Sequence, residues 1–229
     1  MSAFFIKWKK IAGVATGVLS VSFTFSAFFY AKSLENAQTV GAEKHFYFLV
    51  SNEESVQAST EMISLQGGAG YALVQEKDTY AAYAVYFSEN DSMDAQSSVL
   101  EMGQSTKIVE VSCAPLYLKT AKEKERAKLI AGAFESLYGC MQVLNGEIKR
   151  LERGATQESS KRILQTLFKQ FSFLKKQYAE RVAGYGNACK NAKKRLSESI
   201  SNIVYAKDLR YLLCELSVAY ANLSKNFSL

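Results

Sequence analysis

The sequence predicts an α+β protein in three parts: an N-terminal transmembrane helix, a βαββαβ unit of the split βαβ kind, and a C-terminal antiparallel three-helix bundle or coiled coil. Three observations carry this. An uncharged run of 21 residues, Ile11 to Ala31, follows Lys7, Lys9 and Lys10. Between residues 44 and 111, short aromatic or β-branched runs alternate with two polar stretches that each stop at glycine. From Ile130 onward, apolar residues recur at alternating spacings of four and three.

The run 11–31 is long enough to cross a bilayer core, which takes ~20 helical residues. Trp8 stands at one end and Phe28, Phe29 and Tyr30 at the other, as interfacial aromatic residues do. Three lysines precede it and only Lys32 follows closely. The positive-inside rule then places residues 1–10 in the cytoplasm and residues 32–229 outside, on a single-pass protein of the cell membrane. The competing reading is a cleaved signal peptide, whose apolar region should span only ~7–15 residues. A cut after Ser26, with Thr24 at −3, would serve it. A buried soluble helix is the third reading.

Residues 44–112 form the first module. HFYFLV (45–50) reads as a buried strand. EESVQASTEMISLQ (53–66) reads as a helix, with Asn52 placed to cap it and Glu53 and Glu54 suited to the first-turn dipole. GGAG (67–70) stops it, since glycine accepts the left-handed geometry of a helix end. YALVQE (71–76) and TYAAYAVYF (79–87) flank Lys77 and Asp78 and read as a hairpin, although the spacer lacks the Asn-Gly or Asp-Gly signature. SENDSMDAQSSVLEMG (88–103) reads as a second helix stopped by Gly103, and TKIVEV (106–111) as a last strand. Folded as a split βαβ unit, both helices cover one sheet face and the other is left open.

This stretch resembles the SPOR (sporulation-related repeat) family. The pattern sits in FYFLVSNEES, GGAGYALVQE, TYAAYAVYF and MDAQ, over about a third of the chain. It departs from the family where Tyr47 or Leu49 replaces a first-strand glutamine, where Val85-Tyr86-Phe87 replaces Gly-Pro-Phe, and in lying near the membrane segment. The resemblance implies a bacterial envelope protein that binds peptidoglycan glycan strands stripped of their peptides, linked to division or sporulation.

An aromatic ring can stack on a sugar while a phenol hydrogen-bonds to it. Tyr47, Tyr71 and Tyr83 are therefore the candidate glycan-binding residues on the open face. The pattern does not fix the strand parity, because both faces of 45–50 are apolar; Tyr80 and Tyr86 replace Tyr83 if it is reversed. The plainer reading of all five is cross-strand packing. GGAG is not a phosphate loop, since it lacks Gly-Lys-Ser/Thr and precedes a strand.

After Pro115, the only proline, strand signals cease and residues 116–229 read as helical. Ile130, Phe134, Leu137, Met141, Leu144, Ile148 and Leu151 make one seam. Leu164, Leu167, Phe171, Leu174, Tyr178 and Val182 make a second. Leu196, Ile200, Ile203, Leu213, Leu216, Tyr220, Leu223 and Phe227 make a third. Gly154 and Gly184-Tyr185-Gly186 separate them. These seams predict a core, with a second copy of the chain or a partner protein as a further occupant.

Charge divides along the chain: residues 41–112 are net −8 and residues 113–229 net +11, within an overall +6. Basic runs at 119–128, 175–176 and 190–195 read as solvated helix faces, or as attraction to anionic lipid or wall polymer. Nucleic acid is not expected outside the cytoplasm. One histidine, His45, excludes a multi-histidine metal centre, and no Ser-His-Asp pattern accompanies it. No cofactor and no metal are expected. Cys113, Cys140, Cys189 and Cys214 lack metal-ligand spacing. They read as small buried apolar residues, with a helix-linking disulfide such as Cys140–Cys189 as the alternative.

Three functions follow. The first is a membrane-anchored glycan-binding module that is not an enzyme, its capture of glycan weakened by Tyr83→Ala. The second is a non-catalytic envelope scaffold whose helices oligomerise or dock a partner. The third is a wall hydrolase, which a muralytic assay separates from the first.

Overall fold

A computed structural model describes residues 39–40, 43–52, 55–101, 104–117 and 124–227. The membrane run 11–31, the tail 1–10, Glu53, Glu54, Gly103 and the start of the 119–128 basic run lie outside them. Among the described residues no helix is long and apolar enough to cross a membrane.

Four strands form one antiparallel sheet: β2 (Lys44–Ser51), β3 (Tyr71–Gln75), β4 (Asp78–Tyr86) and β5 (Thr106–Cys113), in the spatial order β3-β4-β2-β5. Helix α1 (Val56–Leu65) follows β2, and α2 (Glu89–Glu101) follows β4. This is the expected βαββαβ order. The hairpin turns at Glu76-Lys77, one residue earlier than the spacing suggested, because Gln75 pairs with Asp78. The cap of α1 is Ser55, and Asn52 instead donates its backbone N–H to the Ser105 carbonyl. A separate two-stranded ribbon joins β1 (Thr39–Val40) to β6 (Leu116–Tyr117).

Among the described residues the helical part holds four helices, which corrects the expected three. They are α3 (Lys124–Glu152), α4 (Gln157–Tyr178), α5 (Tyr185–Ser201) and α6 (Ala206–Lys225). The third seam breaks after Ser201, where Asn202 turns extended and bonds back to the Glu198 carbonyl. Gln157 pins the crossing by accepting from the Val204 N–H at 2.7 Å and donating to its carbonyl at 2.9 Å. Ile203, assigned to the seam, is 57% exposed. No glycine or proline marks this break; Asn202 and the ten-residue step from Ile203 to Leu213 are its traces in the sequence.

The sheet has no open face, which corrects the second expectation. Leu49, Ala81 and Tyr83 pack under α1 and α2 with Ile63. Phe46, Phe48, Val50, Leu73, Ala82 and Val111 point the other way, into one core shared with Phe134, Leu137, Leu213 and Tyr220 of the bundle. The rings of Phe46 and Tyr220 meet edge to face at 5.5 Å. A strand apolar on both faces belongs between two layers, and β2 is such a strand. The layers run α1/α2, sheet, α3/α6, α4/α5, with α6 seated on β3, β4 and β5.

Two basic residues of α6 fasten the layers. Helix α1 has no basic residue in its last turn, and the backbone N–H groups of Gln66, Gly67 and Gly68 return to the Met62, Ser64 and Ile63 carbonyls. Lys207 Nζ donates to the Ser64 carbonyl at 3.4 Å, and Arg210 donates to the Gly67 carbonyl and to Glu152. Gly70 must be glycine: at φ +59°, an added Cβ would lie 2.5 Å from the Thr60 carbonyl oxygen.

All four cysteines are free and buried, so the Cys140–Cys189 disulfide is absent. Burial pushes the Cys113 thiol up to about 11 and those of Cys140 and Cys189 to about 12. A thiol held protonated by the fold adds stability that is whole below the unfolded thiol's pKa of ~8.5 and falls as pH climbs from there toward the folded values. Native protein at pH 8 should therefore react with a thiol reagent at least about a hundredfold slower than denaturant-unfolded protein, since thiolate is the nucleophile. Rapid labelling of the native chain would contradict the buried placement.

Candidate functional site

The candidate tyrosines do not converge. Tyr71 lies on the bundle side, its ring edge to face with Tyr211 of α6 at 5.2 Å, and burial pushes its phenol up to about 12. Tyr83 lies on the opposite side, 9% exposed and packed with Ile63. Its hydroxyl donates to Gln104, whose amide donates to Gln66 at 2.7 Å. Tyr83 thus ties α1 to the segment before β5, and its loss would damage this core instead of a ligand surface.

The alternative pair divides as well. Tyr80 packs toward the bundle core, with its hydroxyl on Asp78 and Lys107 4.1 Å above its ring. Tyr86 packs toward α1 and α2, its phenol pushed up to about 12 by burial. A bulge divides them. Leu49 pairs with Ala84 but Val50 pairs with Ala82, so Tyr83 has no opposite number and the alternation of β4 inverts there. Strict period-two reading could not find this, because nothing in AAYAV announces an extra residue.

Tyr47 keeps a half-buried ring among polar neighbours on the side of the sheet away from the bundle. It stacks on His45 at 6.3 Å and pairs across the sheet with Glu110. Partial burial and the charges of Glu110 and Glu89 raise its phenol above the ordinary value. Beside it, His45 Nδ1 lies 2.6 Å from Glu110 Oε1 and 3.2 Å from Ser112 Oγ, while Nε2 faces Glu43 at 3.7 Å. Ser112 donates to the same Glu110 oxygen at 2.7 Å. Hydrogen bonds from Ser112 and His45 hold the Glu110 carboxyl below its usual range.

The sequence reading treated His45 as lone. Its partners come from β5, 65 and 67 residues away, and only strand register brings them near. The trio is not a hydrolytic relay. A relay runs from hydroxyl through imidazole to acid, whereas here the Ser112 hydroxyl donates to Glu110 and Glu43 stands 3.7 Å from Nε2, beyond hydrogen-bond distance.

A cleft of about 390 Å³ lies between the end of α1 and the α5–α6 turn. Its lining carries two cations, Arg195 and Lys207, and two carboxylates, Glu198 and Asp208; Arg195 Nε donates to Glu215 at 2.5 Å and lies over Tyr211, while Lys207 bonds to the Ser64 carbonyl. No single sign of charge prevails there to select an ion. Among the described residues no three His, Cys, Asp or Glu side chains come together as a metal-binding group.

No family model, curated protein or solved structure matches the chain.

Proposed function

We propose that the chain is a non-catalytic scaffold of the bacterial cell envelope, held at the membrane through residues 11–31. In this reading the split βαβ unit is a platform on which the helical bundle is built. The observation that carries it is the burial of Phe46, Phe48, Val50 and Leu73, each 0–1% exposed, beneath the bundle. The face a glycan strand would need is occupied by the protein's own core. The membrane and envelope placement rests on the lysine-flanked run 11–31 and on the SPOR-like order.

Glycan binding is the second reading, favoured by one observation: the half-buried Tyr47 stands beside His45, Glu110 and Ser112. It would use the rim of the sheet next to α2, not the face the family resemblance implies.

Full-length protein in detergent, incubated with denuded peptidoglycan, tests the two. The scaffold reading expects no enrichment over an unrelated membrane protein. Capture that Tyr47→Ala abolishes would return the function to glycan binding.

A further inference from the structure

We propose that copies of this chain stack head to tail, the acidic face of one copy docking on the basic face of the next. This deepens the scaffold reading and rests on it. The layered fold places opposite charge on opposite outer surfaces. Helix α2 carries four acidic residues and no basic one; Asp91 is engaged by Lys149 of α3 at 3.4 Å, while Asp94 and Glu101 face solvent. Helix α4, which packs on α3 and α5, carries five basic residues against one acidic, and Lys169 and Lys176 are exposed.

Each face also exposes apolar side chains amid its charges. On α2, Met93 is 52% exposed and Leu100 49%. On α4, Phe173 is 59% exposed, between Lys169 and Lys176. The spacings match. Asp94 and Glu101, both exposed, are seven residues apart, as are Lys169 and Lys176. At 1.5 Å per residue both pairs repeat at ~10.5 Å along their helices. Two carboxylates can then meet two ammonium groups while Phe173 packs between Met93 and Leu100.

An anionic lipid surface fits these observations less well. It would explain the basic face but repel the acidic one and leave Met93 and Leu100 without a role. A contact between two different surfaces of identical copies does not close on itself at two, so it generates rings or filaments.

Full-length chain in detergent, studied by sedimentation velocity, tests this. Exposed ion pairs are strong at ~0.05 M salt and largely screened near ~1 M. Wild type should form concentration-dependent oligomers at low salt and revert to monomer at high salt. Lys169→Glu with Lys176→Glu, and separately Asp94→Lys with Glu101→Lys, should each weaken association at least about tenfold, because like charges then face each other. Mixing the two variants, or combining all four substitutions in one chain, should restore it. All four residues are solvent-exposed, so circular dichroism should be unchanged.

A wild type that stays monomeric at low salt, or variants that the mixture does not restore, would overturn the proposal. So would monomers whose α4 amides gain exchange protection only in nanodiscs of anionic lipid, which would assign the basic face to the membrane. A monomer that also captures no glycan removes the stacking and leaves the scaffold reading standing. Glycan capture removes the scaffold reading whatever the assembly state.

Discussion

Phe46→Ala should cost about 3–5 kcal/mol, the range for emptying a fully buried aromatic site. The ring is 0% exposed and meets Phe87, Tyr138 and Tyr220 at 5.9, 6.3 and 5.5 Å. Those partners come from the strand end, from α3 and from α6. Truncation would therefore open a void where the sheet joins the bundle, and neither side could close it without moving a whole helix. For a chain of this size each kcal/mol shifts the melting midpoint by about 2–4 °C, so a fall of about 6–20 °C is expected. Phe134→Ala, on the bundle side of the same core and edge to face with Tyr220 at 5.0 Å, should lower the same single transition. Val74→Ala, 66% exposed on the edge strand, should change little. Thermal unfolding followed by circular dichroism reads all three. Two separate transitions, with only one moved by each substitution, would show that sheet and bundle do not share a core.

Arg150→Ala should be the next most damaging change, by about 3 kcal/mol. Glu147 is 1% exposed, and Arg150 Nη1 donates to its Oε2 at 2.7 Å. Its other oxygen, Oε1, meets no hydrogen-bond donor among the described residues. Removing the guanidinium strands a carboxylate away from water, which costs about 3–5 kcal/mol for fully buried pairs. The lower end applies because the Arg150 side chain is 46% exposed and water can take part of its place. Glu147→Leu should behave oppositely. It removes the charge that needs a partner and fills the space with hydrocarbon, so its stability should be unchanged or higher. The double substitution should then be nearly as stable as Glu147→Leu alone. Urea midpoints measure the set, and an Arg150→Ala midpoint equal to wild type would show that the pair contributes nothing.

The sequence was most legible where local rules suffice. Alternating aromatic and β-branched runs, glycine stops and the 4-3 spacing located the four strands of the sheet and both small helices within a few residues. The first two bundle seams followed from the same spacing. These features depend on which side chains a short segment must bury, and that is written in the segment itself. The break at 202–205 was harder to see. It is held by Gln157, about forty-five residues away, and carries no turn residue other than Asn202.

The candidate site was less legible than the fold. Tyr47, Tyr71 and Tyr83 looked equivalent as rings on strands, yet the bulge opposite Leu49 and Val50 put Tyr83 on one face while Tyr71 met α6 on the other. The His45–Glu110–Ser112 cluster needed the β2–β5 register.

By itself, the sequence determined the βαββαβ order, the helical C-terminal half and the sign of charge in each, because periodicity, turn chemistry and composition are local. Only the tertiary structure decided that the second sheet face is core, that α6 adds side-chain donors at the end of α1, and that the acidic α2 and the basic α4 end on different outer layers. Those outcomes depend on which surfaces meet across more than a hundred residues of chain, and hydrophobic burial, being non-directional, names no partner until the layers have packed.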